Sequence, residues 1–310
     1  MSQKLYPSAH LLELFSAWKD DEPRVIGVMR KVRDMDFYYN FELPSFFHAE
    51  SRRTVRELLK ESGMTATTFV TPYIKPLGLS LCDLREDKRR AALALVKYHA
   101  ELAAESGYLG FGIPSGNDPG DEKRADAMKA MTESMEELAE FTAKLSLNLM
   151  IEPLDRYAYK KQLIGPIGET CEWFAPIRAK YPNVFIHWDS AHEALGGADL
   201  MESLEIAKPF LGQFHLCDAI TDPTHPCFGD LHMDCAMAPD WTTEGFLTPE
   251  VGAEIVRKVA SFDPPAGMEK VYVSVEICGH PGNNLWFKEK ISRELLVKSF
   301  ETAGISLNRT

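Results

Sequence analysis

Val184-Phe185-Ile186-His187-Trp188-Asp189 is an apolar run, broken by one histidine, that ends on a carboxylate. A run this short and this apolar reads as a strand buried on both faces. A charge at the end of such a strand is costly unless something compensates it. Three other segments repeat the pattern: Leu149-Met150-Ile151-Glu152, Leu211-Gly212-Gln213-Phe214-His215 and Val273-Ser274-Val275-Glu276. Two Glu, one Asp and one His arriving together suit a divalent cation such as Mn²⁺, Co²⁺ or Zn²⁺.

Outward from these segments, strand-like and helix-like runs alternate along the chain. Residues 25–29, 37–43, 66–70, 108–113, 147–152, 184–189, 212–216 and 271–277 read as strands. Residues 51–63, 83–106, 121–144, 168–180, 198–208, 249–261 and 285–303 read as helices. The alternation predicts an α/β fold, and the length suits a single (β/α)₈ barrel over residues 1–310. A long irregular stretch, about 218–246, is expected as an insertion between strands seven and eight. The rival architecture is a doubly wound sheet, which announces itself by a glycine-rich phosphate turn after its first strand. Gly27-Val28-Met29-Arg30 offers no such turn. In a barrel, the C-terminal strand ends share one mouth. Candidates at the ends of strands five to eight would then reach one ion.

The charge balance bounds the partners. Thirty-four Lys and Arg stand against 46 Asp and Glu, a formal charge of −12. Such a surface repels phosphate backbones, so no nucleic-acid partner is expected. Lys88-Arg89-Arg90 reads as a solvated helix face. No apolar run approaches a membrane span, and the N-terminus has no signal core, so no membrane partner is expected. The cysteines at 82, 171, 217, 227, 235 and 278 form no Cys-x-x-Cys pair. A reduced cytoplasmic setting is the expectation.

Each candidate residue has a plainer alternative. Glu152 is followed by Pro153, which stops the strand; the alternative is a structural pair with Arg156. Asp189 ends its strand in Asp189-Ser190-Ala191-His192, with His192 opening the loop; the alternative is a helix cap and a surface histidine. His215 in His215-Leu216-Cys217-Asp218 reads as a ligand with Asp218 as its hydrogen-bond acceptor or as a substrate contact; the alternative is a satisfied core histidine. Glu276 has no sequence-local partner, and burial without a cation would raise its pKa. His280 follows as a weaker substrate contact. Asp230 and His232, in an extended Asp-x-His, would face one side and, with His192, form a substrate clamp or a second metal site. The alternative is a structured loop. Lys160 and Lys161 read either as substrate contacts or as solvated charges.

The four motifs together resemble the xylose-isomerase-like barrel superfamily of sugar isomerases, epimerases and AP endonucleases. Glu152-Pro153-Leu154-Asp155-Arg156-Tyr157 is similar to the Glu-Pro-Leu-Asn-Arg-Tyr of ketose 3-epimerases. Asp189-Ser190-Ala191-His192 resembles the family's Asp-x-x-His, and His215-Leu216-Cys217-Asp218 its His-x-x-Asp. The resemblance implies Glu152, Asp189, His215 and Glu276 as metal ligands and His192 as a substrate or second-site contact. Two positions depart from the epimerase pattern: Ala158 replaces a Glu, and Ala219-Ile220-Thr221 lacks an Arg. Asp230-Leu231-His232 resembles part of the trinuclear zinc site of the endonuclease branch. That branch's earlier histidines are missing from Val70-Thr71-Pro72-Tyr73 and Ile113-Pro114-Ser115-Gly116. C-glycoside deglycosidases share the barrel and ligands and work with a small partner subunit.

The expected activity is therefore a divalent-metal-dependent sugar isomerase or epimerase. One divalent metal, Mn²⁺ first and Co²⁺, Mg²⁺ or Zn²⁺ as alternatives, would hold an enediolate formed by proton abstraction beside a carbonyl. Glu152 and Glu276 would be the catalytic acid and base. The alternative is a metal-dependent lyase on a sugar derivative, of the C-glycoside deglycosidase or inosose dehydratase kind. An endonuclease or a non-catalytic metal-binding protein ranks below both. The small-molecule partner is a sugar or polyol derivative, with a homo-oligomer as a further expectation.

Overall fold

The computed structural model describes residues 5–234 and 244–307. Its first half runs through β1 (Leu5–His10), α1 (Leu11–Leu14), α2 (Glu22–Arg33), β2 (Asn40–Glu42), α3 (Ala49–Ser62), β3 (Thr65–Phe69), α4 (Thr71–Ile74), α5 (Glu86–Glu105), β4 (Gly110–Ile113) and α6 (Asp121–Lys144). Its second half runs through β5 (Asn148–Ile151), α7 (Ile167–Lys180), β6 (Val184–Asp189), α8 (Ser190–Leu195), α9 (Leu200–Ala207), β7 (Leu211–Cys217), α10 (Pro249–Ala260), β8 (Val271–Glu276) and α11 (Leu285–Ala303). The strands pair in chain order, all parallel, and β8 pairs back onto β1. This is a closed (β/α)₈ barrel, the fold read from the strand rhythm.

The first strand is corrected. Residues 25–29 lie inside α2, and β1 is Leu5–His10. Asp21 caps α2, its carboxylate accepting from the Arg24 amide at 3.2 Å, and Pro23 sits in the first turn. Val25, Ile26, Val28, Met29 and Val32 are buried at helical spacing. That periodicity, not the β-branched character of Val25-Ile26, decides the element. Leu5-Tyr6-Pro7-Ser8-Ala9-His10 hides its strand behind a proline and two polar residues. Pro7 donates nothing to the ladder, but its carbonyl accepts from the Tyr39 amide at 2.9 Å.

Strands β6 and β7 are buried along their whole length. Helix faces cover the outside of the barrel, and the inside alternates with period two. Two glycines of β4 open that interior. A Cβ on Gly112 would lie 2.2 Å from the Phe69 ring. Its absence seats Phe69 inside the barrel, with ring centroids 4.8 Å from His187 and 5.5 Å from His215.

The predicted insertion at about 218–246 falls between β7 and α10. Residues 235–243 of it, with Cys235, lie outside the described residues. No described helix is long and apolar enough to cross a membrane.

Candidate metal centre

Glu152 follows β5 directly, and its amide donates to the Ile113 carbonyl at 3.2 Å. Asp189 and Glu276 are the last residues of β6 and β8. His215 lies on β7 and is buried. One donor atom from each of Glu152, Asp189, His215 and Glu276 falls within 4.8 Å of every other. The structure thus gathers the four predicted ligands at one point.

Asp189 caps a helix and also turns an oxygen toward the cluster, while His192 is buried rather than at the surface. Asp189 Oδ1 accepts from the Ala191 and His192 amides at 2.8 and 3.1 Å and caps α8. Its Oδ2 is buried, has no hydrogen-bond partner and lies 3.8 Å from His215 Nδ1. An orphaned carboxylate oxygen beside two more carboxylates and an imidazole nitrogen fits a divalent cation.

The electrostatics agree. Burial, with Glu276 adding repulsion, pushes Glu152 up to about 7. Burial likewise lifts Asp189 to about 6, again with a contribution from Glu276. Burial would also raise Glu276, but His232, His215 and His10 outweigh it and hold that carboxyl well below the usual range. Two like glutamates in one cluster thus have their acidities pushed apart.

Sequence reasoning missed the residues behind the cluster. Glu42, fully buried on β2, faces His215 Nε2 at 2.7 Å, while His215 Nδ1 faces Glu276 at 3.1 Å. Burial would raise Glu42, but His10 and His215 hold it at about 2. His10 lies 3.4 Å from Glu276 and 3.6 Å from Glu42. His187, also fully buried, has both ring nitrogens unpartnered and one of them 4.0 Å from Glu152. The signal for Glu42 was available, because it is the penultimate residue of a strand-like run that Pro44 ends, much as Pro153 ends the run of Glu152. His187 lies two residues before Asp189, on the same inward face. His10 was hidden with the misplaced first strand.

A second group stands beside the first. Asp230 Oδ2 lies 2.7 Å from Lys160 Nζ, 3.0 Å from His232 Nε2 and 3.8 Å from His192 Nε2. His192 Nδ1 faces Asp155 across 3.5 Å. Burial would lower His192, but Asp155, Asp189 and Asp230 hold it at about 9. His232 reaches toward Glu13 and Glu276, at 3.7 and 3.6 Å. The Asp230–His232 pair is not extended: His232 has φ +47°, and its amide donates back to Asp230. A turn, rather than strand alternation, brings the two side chains together. Asp155, which accepts the Lys160 amide at 2.9 Å, was not singled out from the sequence.

The plainer alternative for Glu152 is absent: Arg156 pairs with Glu169 and the Leu163 carbonyl, not with Glu152. Three further placements differ from expectation. Asp218 is not the acceptor of His215; its Oδ1 accepts the Ala219 and Leu247 amides, both at 2.9 Å, and so anchors the following loop. Lys161 is exposed at a left-handed position, with φ +53°. His280 is exposed and borders the loop after β8, where its amide donates to Asn283. The second-strand Glu42 takes the role given to Asp218, because the acceptor came from across the barrel rather than along the chain.

The cluster forms the floor of a cavity of about 770 Å³. Glu152, His192, His215, His232, Glu276 and Lys160 line its inner part. Leu79, Leu84, Pro114 and Pro119, from the segments after β3 and β4, line another wall. Asp218, Lys161 and His280 are not among the lining residues.

A sequence model of xylose isomerase-like TIM barrels matches residues 32–243. This chain belongs to that family. No curated protein matches it in sequence. Among solved structures, a D-tagatose 3-epimerase-like protein superposes with a TM-score of 0.68 at 15% identity, over 97% of this chain and 98% of the other. A D-psicose 3-epimerase from Clostridium cellulolyticum H10, solved with D-tagatose, gives 0.65 at 14% identity, over 97% and 99%. A 3-keto-D-glucoside 4-epimerase from E. coli, in its apo form, gives 0.63 at 16% identity, over 96% and 100%. At such identities the likeness carries the fold, and family members still differ in chemistry.

Proposed function

We propose that this protein is a divalent-cation-dependent sugar isomerase or epimerase that moves a proton beside a carbonyl. One observation carries the reading. Glu152 and Glu276 meet in a single buried cluster at the floor of an open cavity, with their acidities pushed apart. That is the pairing a proton donor and a proton acceptor need.

Glu152, Asp189, His215 and Glu276 would hold the cation. Bound there, it would polarise a carbonyl as a Lewis acid and offset developing negative charge. Glu276, backed by His10, His215 and His232, stays ionised and is suited to accept a proton. Glu152, raised by burial and by Glu276 in the cation-free chain, is suited to return one through the oxygen it does not give to the cation. The two lie at the ends of strands three steps apart round the barrel, so a sugar seated between them is approached from two sides. His192 and Lys160 stand where they can hold substrate oxygens, each backed by a buried carboxylate. Well-placed general acid–base groups contribute about 10² to 10⁴ each in rate.

A second reading is favoured by the size of the cavity. At a water's share of about 30 Å³, a space of 770 Å³ corresponds to roughly 25 waters. A single sugar ring fills well under half of that. The apolar wall of Leu79, Leu84, Pro114 and Pro119 would then receive an aglycone, and the same proton abstraction would lead to elimination by a lyase, with or without a small partner subunit.

Both readings are tested by incubating the cation-loaded protein in D₂O with ketoses, inososes and 3-oxo-glycosides. Solvent deuterium appearing beside a carbonyl is the expected result. A rearranged sugar marks an isomerase or epimerase, and a released fragment marks a lyase. No exchange into any of the three substrate classes by a cation-loaded sample would sink the proposal.

A further inference from the structure

Glu42 does more than fill the barrel. It sits on β2, three strands round from β7, and reaches across the interior to His215. Its Oε2 lies 2.7 Å from His215 Nε2. Its Oε1 accepts from Ser274 Oγ at 2.5 Å and Ser8 Oγ at 3.2 Å. Ser8 is itself held by Asn40, whose side-chain nitrogen lies 2.9 Å from the Ser8 hydroxyl. Two hydroxyls from β1 and β8 thus fix the carboxylate against an imidazole from β7.

An ionised carboxylate only accepts hydrogen bonds. The short contact therefore places a hydrogen on His215 Nε2. The other ring nitrogen, Nδ1, is the one facing Asp189 Oδ2 and Glu276 Oε2, and where a cation takes the place of a hydrogen there it presents its lone pair to the cluster. We propose that Glu42 is a positioning residue for cation binding: it fixes the ring orientation and tautomer of His215 so that Nδ1 points into the four-ligand cluster. A carboxylate behind a ligating imidazole also raises the basicity of its free nitrogen. Nothing local in the sequence joins the two residues, since 173 positions separate them. Closure of the barrel alone makes the contact.

The inference rests on reading the cluster as a cation site and is independent of which sugar is turned over. Its test is binding, not activity. The full chain is stripped with EDTA and titrated with Co²⁺, with visible absorption reporting ligand geometry and competition giving the dissociation constant. Glu42→Gln is expected to weaken Co²⁺ binding by about 10- to 100-fold and to alter the absorption bands, while the stripped variant keeps the parent's near-ultraviolet circular dichroism. An affinity within about twofold of the parent, with the same spectrum, overturns the inference. If Glu42→Gln does not fold, Ser274→Ala serves in its place, because it keeps the charge but removes the shorter of the two hydroxyl contacts that hold Oε1. Its affinity is expected to fall several-fold, and an unchanged value overturns the inference equally. A parent protein that binds no Co²⁺ overturns the cation reading itself, and the role of Glu42 with it. Binding by the parent and equal binding by the variant overturn only the role of Glu42.

Discussion

Replacing Glu152 with Gln should change stability in opposite directions with and without cation. Burial and the neighbouring Glu276 lift Glu152 from an ordinary 4.5 to about 7. At about 1.36 kcal/mol per tenfold change in acidity, its ionised form is disfavoured in the folded protein by on the order of 3 kcal/mol. Between pH 4.5 and 7 the folded chain binds a proton that the unfolded chain has released. Stability therefore falls as pH rises through that window, and the whole cost is present above about pH 7. Glutamine carries no charge and keeps the shape. In EDTA at pH 8, Glu152→Gln should gain on the order of 3 kcal/mol, seen as a rise in melting temperature of roughly 4–6 °C. At pH 4.5 the gap should close. With Mn²⁺ in excess the order should reverse, because the parent gains binding energy that the variant has lost, and the variant should have no turnover. Thermal melts at the two pH values, with EDTA and with Mn²⁺, check all of this. A variant that melts at or below the parent in EDTA at pH 8 would refute the electrostatic account of the cluster.

Three other outcomes are expected. Saturating Mn²⁺ at about 100 times its dissociation constant should stabilise the parent by about 2.7 kcal/mol, read as a concentration-dependent melting temperature, whereas equal amounts of Na⁺ should not. Gly112→Ala would set a Cβ 2.2 Å from the Phe69 ring and force it off the histidines it packs against, which should cost about 1–3 kcal/mol and weaken cation binding in the same sample; denaturant melts and Co²⁺ titration read the two effects. His99 is buried against Tyr73 and hydrogen-bonded to Ser45, and burial depresses it to about 4. The unfolded chain binds its proton near 6.5, so this contribution, on the order of 3 kcal/mol, is present above pH 6.5 and is lost as pH falls toward 4. His99→Gln should flatten that part of the stability–pH curve, and an unaltered curve counts against the assignment.

What could be read from the sequence, and what could not, follows from how each residue reaches the site. Val184–Asp189 was legible because an apolar strand carries its own boundaries, and its terminal carboxylate had no local use. Glu152, His215 and Glu276 were legible for the same reason. The first strand was not: Pro7, Ser8 and His10 break the apolar pattern, while Val25, Ile26 and Val28 imitate a strand inside a capped helix. The residues behind the cluster were legible only as positions. Glu42 and His187 sit on strand-like runs, but Glu42, His10 and His187 meet their partners across the barrel, and no local pattern encodes a contact that only closure creates. Asp218 was misassigned by the same route, since proximity along the chain was taken as proximity in space.

Asp189 uses its two oxygens on different tasks, one on the first amides of α8 and one toward the cluster. His192 rides on that same first turn. Drawing the outward oxygen toward a guest would therefore tug on the turn that carries His192, so the arrival of an ion and the aim of the group nearest the sugar are geared to one short side chain. A longer acid at 189 could perform either task but would throw the gearing out of mesh, and an amide would keep the turn while leaving the guest poorly gripped.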